Sequence, residues 1–217
     1  MRGEPIPFGE GCNPLKSADE KEKLYLSLQR LTENTIEDIV NRSVNHKNMN
    51  NHNDFNINNK YRVLFVCHGN ICRSPMAEFI MKDLVRKAGL EGRIFIDSAA
   101  VSYEEQGNGI YHPAKLTLSS HNVPFSEHYA HRIDDAEASR FDLVVIMDSS
   151  NRRLISRLLS PENMKKVHMM MEYAGESSVR DVSDPWYSGN FEKTFSDLLA
   201  GCKGLLSRII SDSLLDK

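Results

Sequence analysis

Cys67 and Arg73 stand six residues apart, with Gly69 and Asn70 between them and Ser74-Pro75 directly after. A thiol and a guanidinium at the two ends of one short loop can attack and hold a phosphorus-bearing anion. Gly69 and Asn70 tolerate left-handed backbone, so the loop can curl its N–H groups inward as an anion nest closed by a helix N-terminus. Such surroundings favour a thiolate at Cys67 over the thiol. The planar fork of Arg73 can hold two phosphoryl oxygens at once, and its attraction grows as charge shifts during transfer. The Ser74 hydroxyl can donate to the Cys67 sulfur and help it leave. His68, Gly69, Asn70, Ile71, Cys72 and Ser74 are the expected phosphate-binding lining. A buried cysteine before a glycine turn would account for Cys67 and Gly69, but not for an arginine six residues on or for the Ser-Pro helix start. Zinc on Cys67, His68 and Cys72 lacks a second cysteine or histidine pair at ligand spacing. Neither a metal nor a cofactor is expected.

Expelling an alkoxide or phenolate is easier if a carboxylic acid protonates it from the side opposite the sulfur. Asp181 and Asp184 are the candidates, and Asp184 precedes Pro185, Trp186 and Tyr187, whose aromatic rings can line a substrate slot. Cys72, five residues after the nucleophile candidate, can approach it closely enough for a reversible disulfide, or can simply pack behind the loop. His68, His112, His121, His128, His131 and His168 show no metal or triad spacing and read as surface or supporting residues.

The elements around this loop alternate. Arg62–Val66 reads as a first strand, followed at once by a helix opened by Ser74-Pro75 and running to about Lys87. Arg93–Asp97 reads as the second strand, Pro113–His121 as a helix, Phe141–Met147 as the third strand and Lys166–Met169 as the fourth. Asp148 should cap a helix with Asn151 in its first turn. Phe191, Phe195, Leu198, Leu199, Cys202, Leu205, Leu206 and Ile209 mark a closing helix from Phe191 to about Ile210. The expectation is an α/β fold: an open, mainly four-stranded parallel sheet with helices on both faces. Loops at the carboxyl ends of such strands are where ligands bind, and the Cys67 loop is one of these.

With 217 residues, one domain of ordinary size with an appendage fits. A formal net charge of -3 and a pI near 6.2 give no global basic field, so nucleic acid is not an expected partner. No apolar stretch reaches the length of a membrane helix, the start Met1-Arg2-Gly3-Glu4-Pro5 lacks a signal peptide's apolar segment, and a cytoplasmic location is expected. The four cysteines, at positions 12, 67, 72 and 202, are too irregular for a disulfide framework. Residues 1–60 differ from the rest. Leu24, Leu28, Leu31, Ile36, Ile39 and Val40 suggest an amphipathic helix or two, and 41–59, about half asparagine, reads as a linker that cannot offset its ordering entropy by burial. The expectation is therefore an extension over 1–60, partly helical or disordered, ahead of a catalytic domain at 61–217.

The run Val66-Cys67-His68-Gly69-Asn70-Ile71-Cys72-Arg73-Ser74-Pro75-Met76-Ala77-Glu78 resembles the signature of the low-molecular-weight protein tyrosine phosphatases. The resemblance continues through Asp97-Ser98-Ala99-Ala100, Phe141-Asp142-Leu143 with Met147-Asp148, and Asp184-Pro185-Trp186-Tyr187. It implies hydrolysis of a phosphotyrosyl protein through a phosphocysteine on Cys67, with Asp184 as general acid and then base, and a tyrosine kinase as the opposing partner. It also implies a protective Cys67–Cys72 disulfide. Trp186 and Tyr187 would form one wall of the mouth. On the other, Glu104 stands where many family members carry an aromatic, and Tyr103 is the substitute, so that acidic residues there select against acidic peptides or favour a cationic substrate. Relatives acting on phosphoarginine tend to carry threonine at the position of Ile71, and isoleucine therefore points to phosphotyrosine. The rivals are phosphoarginine hydrolysis, arsenate reduction, for which Cys202 is a poor relay, and a non-catalytic phosphopeptide-binding module, which could dispense with Cys67 and Asp184.

Overall fold

The computed structural model describes residues 60–175 and 180–215. The extension and its asparagine-rich linker, Lys60 apart, lie outside the described residues. Four parallel strands, β1 (Tyr61–Cys67), β2 (Ile94–Ala100), β3 (Leu143–Ile146) and β4 (Val167–Met169), form one sheet in the order β2-β1-β3-β4. The fully buried run Val63–Val66 suits the central strand of a parallel sheet covered on both faces. On one face Leu64, Val66, Val144, Ile146, Val167 and Met169 pack with Ala138, Phe141, Ile155 and Leu159. These last come from α3 (Asp135–Ala138), α4 (Ser149–Ile155) and the loops beside them. Strand alternation turns Val63, Phe65 and Val145 to the other face. There α1 (Arg73–Lys87) and α7 (Phe191–Leu215) pack together, with Cys202 of α7 donating to the Ala77 carbonyl of α1 at 3.6 Å. At Gly204 the α7 backbone runs so close to Tyr173 that a Cβ would lie 1.7 Å from its carbonyl oxygen.

Element bounds differ from expectation where non-local partners intervene. Strand β2 runs on to Ala100, because Ala100 N–H donates to His131 O and Ile133 N–H to Ala100 O. Strand β3 is shorter. Phe141 closes a turn onto Ala138 O, and Met147 leaves the ladder, its N–H donating to Asn151 Oδ1 and its carbonyl accepting from Val182 N–H. Helix α1 begins at Arg73, not at Pro75. Its first bond is Met76 N–H to Cys72 O, so Pro75 sits in the opening turn, where an N–H has no helical acceptor to lose. The second helix, α2 (His112–Ser120), starts one residue early, and α7 runs five residues past Ile210. Three four-residue helices, α3, α5 (Pro161–Met164) and α6 (Pro185–Ser188), are too short to leave a periodic signal. Each is set by a side-chain cap, with Asp134, Ser160 and Asp184 accepting from the amides of Glu137, Asn163 and Trp186.

Strand β1 is flanked by β2 on one side and β3 on the other, so the chain reverses its direction of travel across the sheet at the carboxyl end of β1. That is the crevice of an open α/β sheet, and Cys67 is the residue at its floor.

Candidate active site

Between Cys67 and Met76 the loop carbonyls are tied outward. Cys67 O accepts from Val101 N (2.9 Å), His68 O from Ser102 N (3.1 Å), Ile71 O from Tyr111 N (2.8 Å) and Cys72 O from Met76 N (3.0 Å). Asn70 O accepts from His128 Nε2 at 2.8 Å. Each peptide plane carries its N–H opposite its C=O. The amides of His68, Gly69, Ile71, Cys72 and Arg73 are thereby turned to the inside of the curl, the arrangement that binds an anion. The Asn70 N–H lies 3.3 Å from Cys67 Sγ.

The curl is locked by Asn70, which sequence reading credits with a permissive backbone and a place in the phosphate-binding lining, but not with a supporting side chain. Its φ of 58° is left-handed, whereas Gly69 is not among the positive-φ residues. Glycine at 69 serves clearance instead, since a Cβ there would sit 2.9 Å from Glu105 Cγ. The strained Asn70 is repaid by its side chain: Nδ2 donates to Ser74 Oγ and Ser98 Oγ, both at 2.9 Å, and Oδ1 accepts from His131 N at 3.3 Å. Behind it, Ser98 Oγ donates to the buried Glu78 carboxylate (2.6 Å), which also holds Lys82 and lies 3.8 Å from His128 Nδ1. With one lone pair taken by Asn70, the single proton of Ser74 can go to Cys67 Sγ at 3.1 Å or to Ala99 O at 3.3 Å. A thiolate at Cys67 would draw it to sulfur.

Arg73 is almost wholly buried and lies between two carboxylates, with NH1 on Asp148 Oδ2 at 2.5 Å and NH2 on Asp184 Oδ2 at 2.6 Å. Burial works against its charge, but the negative neighbours Cys67, Asp184 and Asp148 outweigh it and hold the guanidinium above its ordinary pKa. Asp148 caps α4 through Asn151 N (2.6 Å), as expected, and its second oxygen takes Arg73, a contact with no signal in the sequence. Of the two acid candidates, Asp184 reaches the loop and Asp181 does not: Asp181 is spent on the amide and hydroxyl of Ser149 at 3.0 and 3.1 Å. Asp184 Oδ1 accepts from Trp186 N at 3.0 Å, and Oδ2 is the oxygen on Arg73.

Cys72 packs with Ile71, Ala130 and Phe191, and both it and Cys67 are free thiols. Burial, then the negative charges of Cys67 and Asp184, push the Cys72 thiol up to about 12. At neutral pH it is therefore held as the unreactive thiol. Iodoacetamide at pH 7 is expected to leave Cys72 unmodified in the native protein. Peptide mapping that found Cys72 labelled as fast as Cys67 would contradict this. Cys202 lies buried against α1, away from the loop.

At the mouth, Trp186 and Tyr187 are exposed, and Trp186 stands beside Tyr111 (5.7 Å between centroids), which in turn meets Phe191 (6.0 Å). Tyr111, whose N–H donates to Ile71 O, joins Trp186 to the loop, a contact that sequence reading missed. His68 Nε2 bonds Glu104 Oε2 at 2.9 Å, and the Arg132 guanidinium covers the exposed Tyr103 ring at 4.4 Å. His112 makes the first residue of α2, while His121 bonds Glu192 and His168 bonds Glu172.

The family model for low molecular weight phosphotyrosine protein phosphatase matches residues 62–214. The low molecular weight protein-tyrosine-phosphatase YfkJ of Bacillus subtilis is 36% identical over 153 residues, which cover 70% of this chain and 98% of that protein. The low molecular weight phosphotyrosine protein phosphatase of Schizosaccharomyces pombe is 40% identical over 130 residues, 59% of this chain and 83% of its own. Among solved structures, that of YfkJ superposes with a TM-score of 0.68 at 35% identity, covering 70% of this chain and 96% of that one. The Drosophila arginine phosphatase DARP superposes with a TM-score of 0.61 at 28% identity, covering 68% and 96%.

Proposed function

The chain belongs to the low molecular weight phosphotyrosine protein phosphatase family, and on that footing we propose that it hydrolyses phosphotyrosine in proteins by way of a phosphocysteine on Cys67. The observation that carries this reading is the convergence on one anion-sized curl of the Cys67 sulfur, inward amides, the Arg73 fork and the Asp184 carboxyl.

The phosphoryl group enters the curl with its oxygens on the loop amides and on Arg73, which turns from its carboxylates toward the dianion. Asp184, now released from Arg73, acts as the acid from its Oδ2. Cys67 Sγ attacks phosphorus, the bond from phosphorus to the tyrosine oxygen breaks, and Asp184 Oδ2 gives its proton to that oxygen. Asp184, now a carboxylate, takes a proton from water as the water oxygen attacks the phosphocysteine. The S–P bond then breaks, inorganic phosphate forms, and the Ser74 hydroxyl holds the returning thiolate. An arsenate reductase would need a thiol relay, and Cys202 packed on α1 does not offer one.

The substrates are phosphoproteins, and a tyrosine kinase is the partner that would supply them. Residues 61–217 are read as the phosphatase domain, supported by the matched span 62–214, with 1–60 as an extension. Among the described residues no helix is long and apolar enough to cross a membrane. A cytoplasmic location is proposed on the need to keep Cys67 reduced.

Asp184→Ala is expected to lower kcat/KM for phosphotyrosine peptides by about 10²- to 10⁴-fold, the usual worth of a placed general acid. Inorganic phosphate should bind no more weakly, because Arg73 is freed from a carboxylate. Steady-state kinetics on phosphotyrosine, phosphoserine and phosphoarginine substrates check both points. Turnover of phosphoarginine above phosphotyrosine by the wild type would move the reading to an arginine phosphatase despite Ile71.

A further inference from the structure

The buried face of α7 is apolar at Phe195, Leu198, Cys202 and Leu205, yet two polar residues on its first turns, Thr194 and Asp197, are also closed off from solvent, at 0% and 2% exposure. Burying a carboxylate is unfavourable unless it is paired and hydrogen-bonded, and neither residue helps the core. Asp197 Oδ1 accepts from Arg180 NH2 (2.9 Å) and Lys193 Nζ (2.6 Å), and its Oδ2 accepts from the backbone N–H of Ser183 at 3.2 Å. Thr194 Oγ1 donates to the carbonyl of Ser183 at 2.8 Å.

Both backbone groups of one residue, Ser183, are thus held by side chains of α7. The Ser183 carbonyl shares its peptide plane with the nitrogen of Asp184, so fixing that oxygen fixes the axis from which the Asp184 side chain projects. One residue upstream, Val182 N–H is tied to Met147 O at the end of β3 (2.9 Å). Downstream, Asp184 caps α6 and its own carbonyl accepts from Ser188 N–H and Oγ. The segment carrying the proton donor is therefore clamped from the sheet, from α6 and, through the buried side chains of Thr194 and Asp197, from α7.

We propose that Thr194 and Asp197 are positioning residues of the phosphatase reaction, holding the Ser183–Asp184 peptide so that Asp184 Oδ2 stays over the phosphoryl site. This rests on the reading of Asp184 as the general acid. A misplaced acid hurts most where the leaving oxygen most needs a proton, and hardly at all where the leaving group is already stable as an anion. A role in folding alone, or in the Cys67 loop, would lower activity by the same factor for every leaving group.

The test uses the full chain with Thr194→Val, Thr194→Ser, Asp197→Asn and, as reference, Asp184→Ala. For each, kcat/KM is measured over aryl phosphates running from strongly activated nitrophenols to phenol itself, alongside inhibition by inorganic phosphate. Thr194→Val and Asp197→Asn are expected to lose about tenfold more on phenyl phosphate than on the most activated ester. Phosphate inhibition should stay unchanged, and Thr194→Ser, which keeps the hydroxyl, should restore the wild-type dependence. Equal losses across the series, or none, overturn the proposal. If Asp184→Ala steepens the dependence while the α7 variants do not, the positioning role alone fails. If Asp184→Ala does not steepen it, the acid assignment fails and the proposal falls with it. Should Asp197→Asn not fold, the near-isosteric pair Thr194→Val and Thr194→Ser decides.

Discussion

Cys67→Ser is expected to abolish turnover, with kcat for an aryl phosphate falling by about 10⁴-fold or more while inorganic phosphate still binds. The oxygen that replaces sulfur is a poor nucleophile because a hydroxyl is not ionised near neutral pH, and the site offers it no base. Ser74 is a hydroxyl with a proton of its own, and Asp184 is turned to Arg73. The cradle itself does not depend on sulfur. Its carbonyls are held by Val101, Ser102, Tyr111, Met76 and His128, and its left-handed residue by Ser74, Ser98 and His131. Rates measured with chelator present, together with phosphate titration, check the two halves of this expectation. Residual turnover within tenfold of wild type would place the nucleophile elsewhere, and loss of phosphate binding would mean that the sulfur shapes the loop.

The second large effect is expected at Arg73. Arg73→Lys keeps the charge but replaces a planar fork by a point donor, so two phosphoryl oxygens can no longer be held side by side. It also disturbs the pairing in which one guanidinium separates Asp148 from Asp184. An ammonium cannot reach both in the same geometry, and two carboxylates left facing the curl repel an incoming dianion. Because the interaction strengthens as charge moves onto the phosphoryl oxygens, kcat/KM should fall by about 10²- to 10³-fold or more, about 3 to 4 kcal/mol of transition-state stabilisation. The fold should persist, since Asp148 and Asp184 keep their caps on α4 and α6. Phosphate affinity, kcat/KM and a thermal melt together decide. A variant with wild-type kcat/KM would show that the loop amides alone carry the phosphoryl group.

The two variants differ in what they leave behind. Serine at 67 leaves a complete anion site without a nucleophile, and lysine at 73 leaves a nucleophile whose target is poorly held. Neither effect should be additive with Asp184→Ala, because the three side chains act on one phosphoryl group within one contact network.

Much of this site was legible in the sequence because its parts are local. Cys67, the curl and Arg73 lie within seven consecutive residues between a strand and a helix, and Asp184 is singled out from Asp181 only by the resemblance that runs through Asp184-Pro185-Trp186-Tyr187. Parallel strands buried on both faces leave continuous apolar runs, which is why β1 to β4 and the sheet could be read to within a few residues. The amino-acid sequence alone therefore determined the fold class and marked out the Cys67–Arg73 loop, while between Asp181 and Asp184 the residues themselves left the choice open. The tertiary structure decided everything that depends on side chains meeting across the chain. It assigned Asp148 to Arg73, across 75 residues, and Ser98 with Glu78 to the support of Asn70. It placed Tyr111 beside Trp186 and tied Ser183 to Thr194 and Asp197. A hydrogen bond or a ring contact between distant residues leaves no periodicity or spacing behind it, since either partner alone is an ordinary polar or aromatic residue until packing sets both in one place.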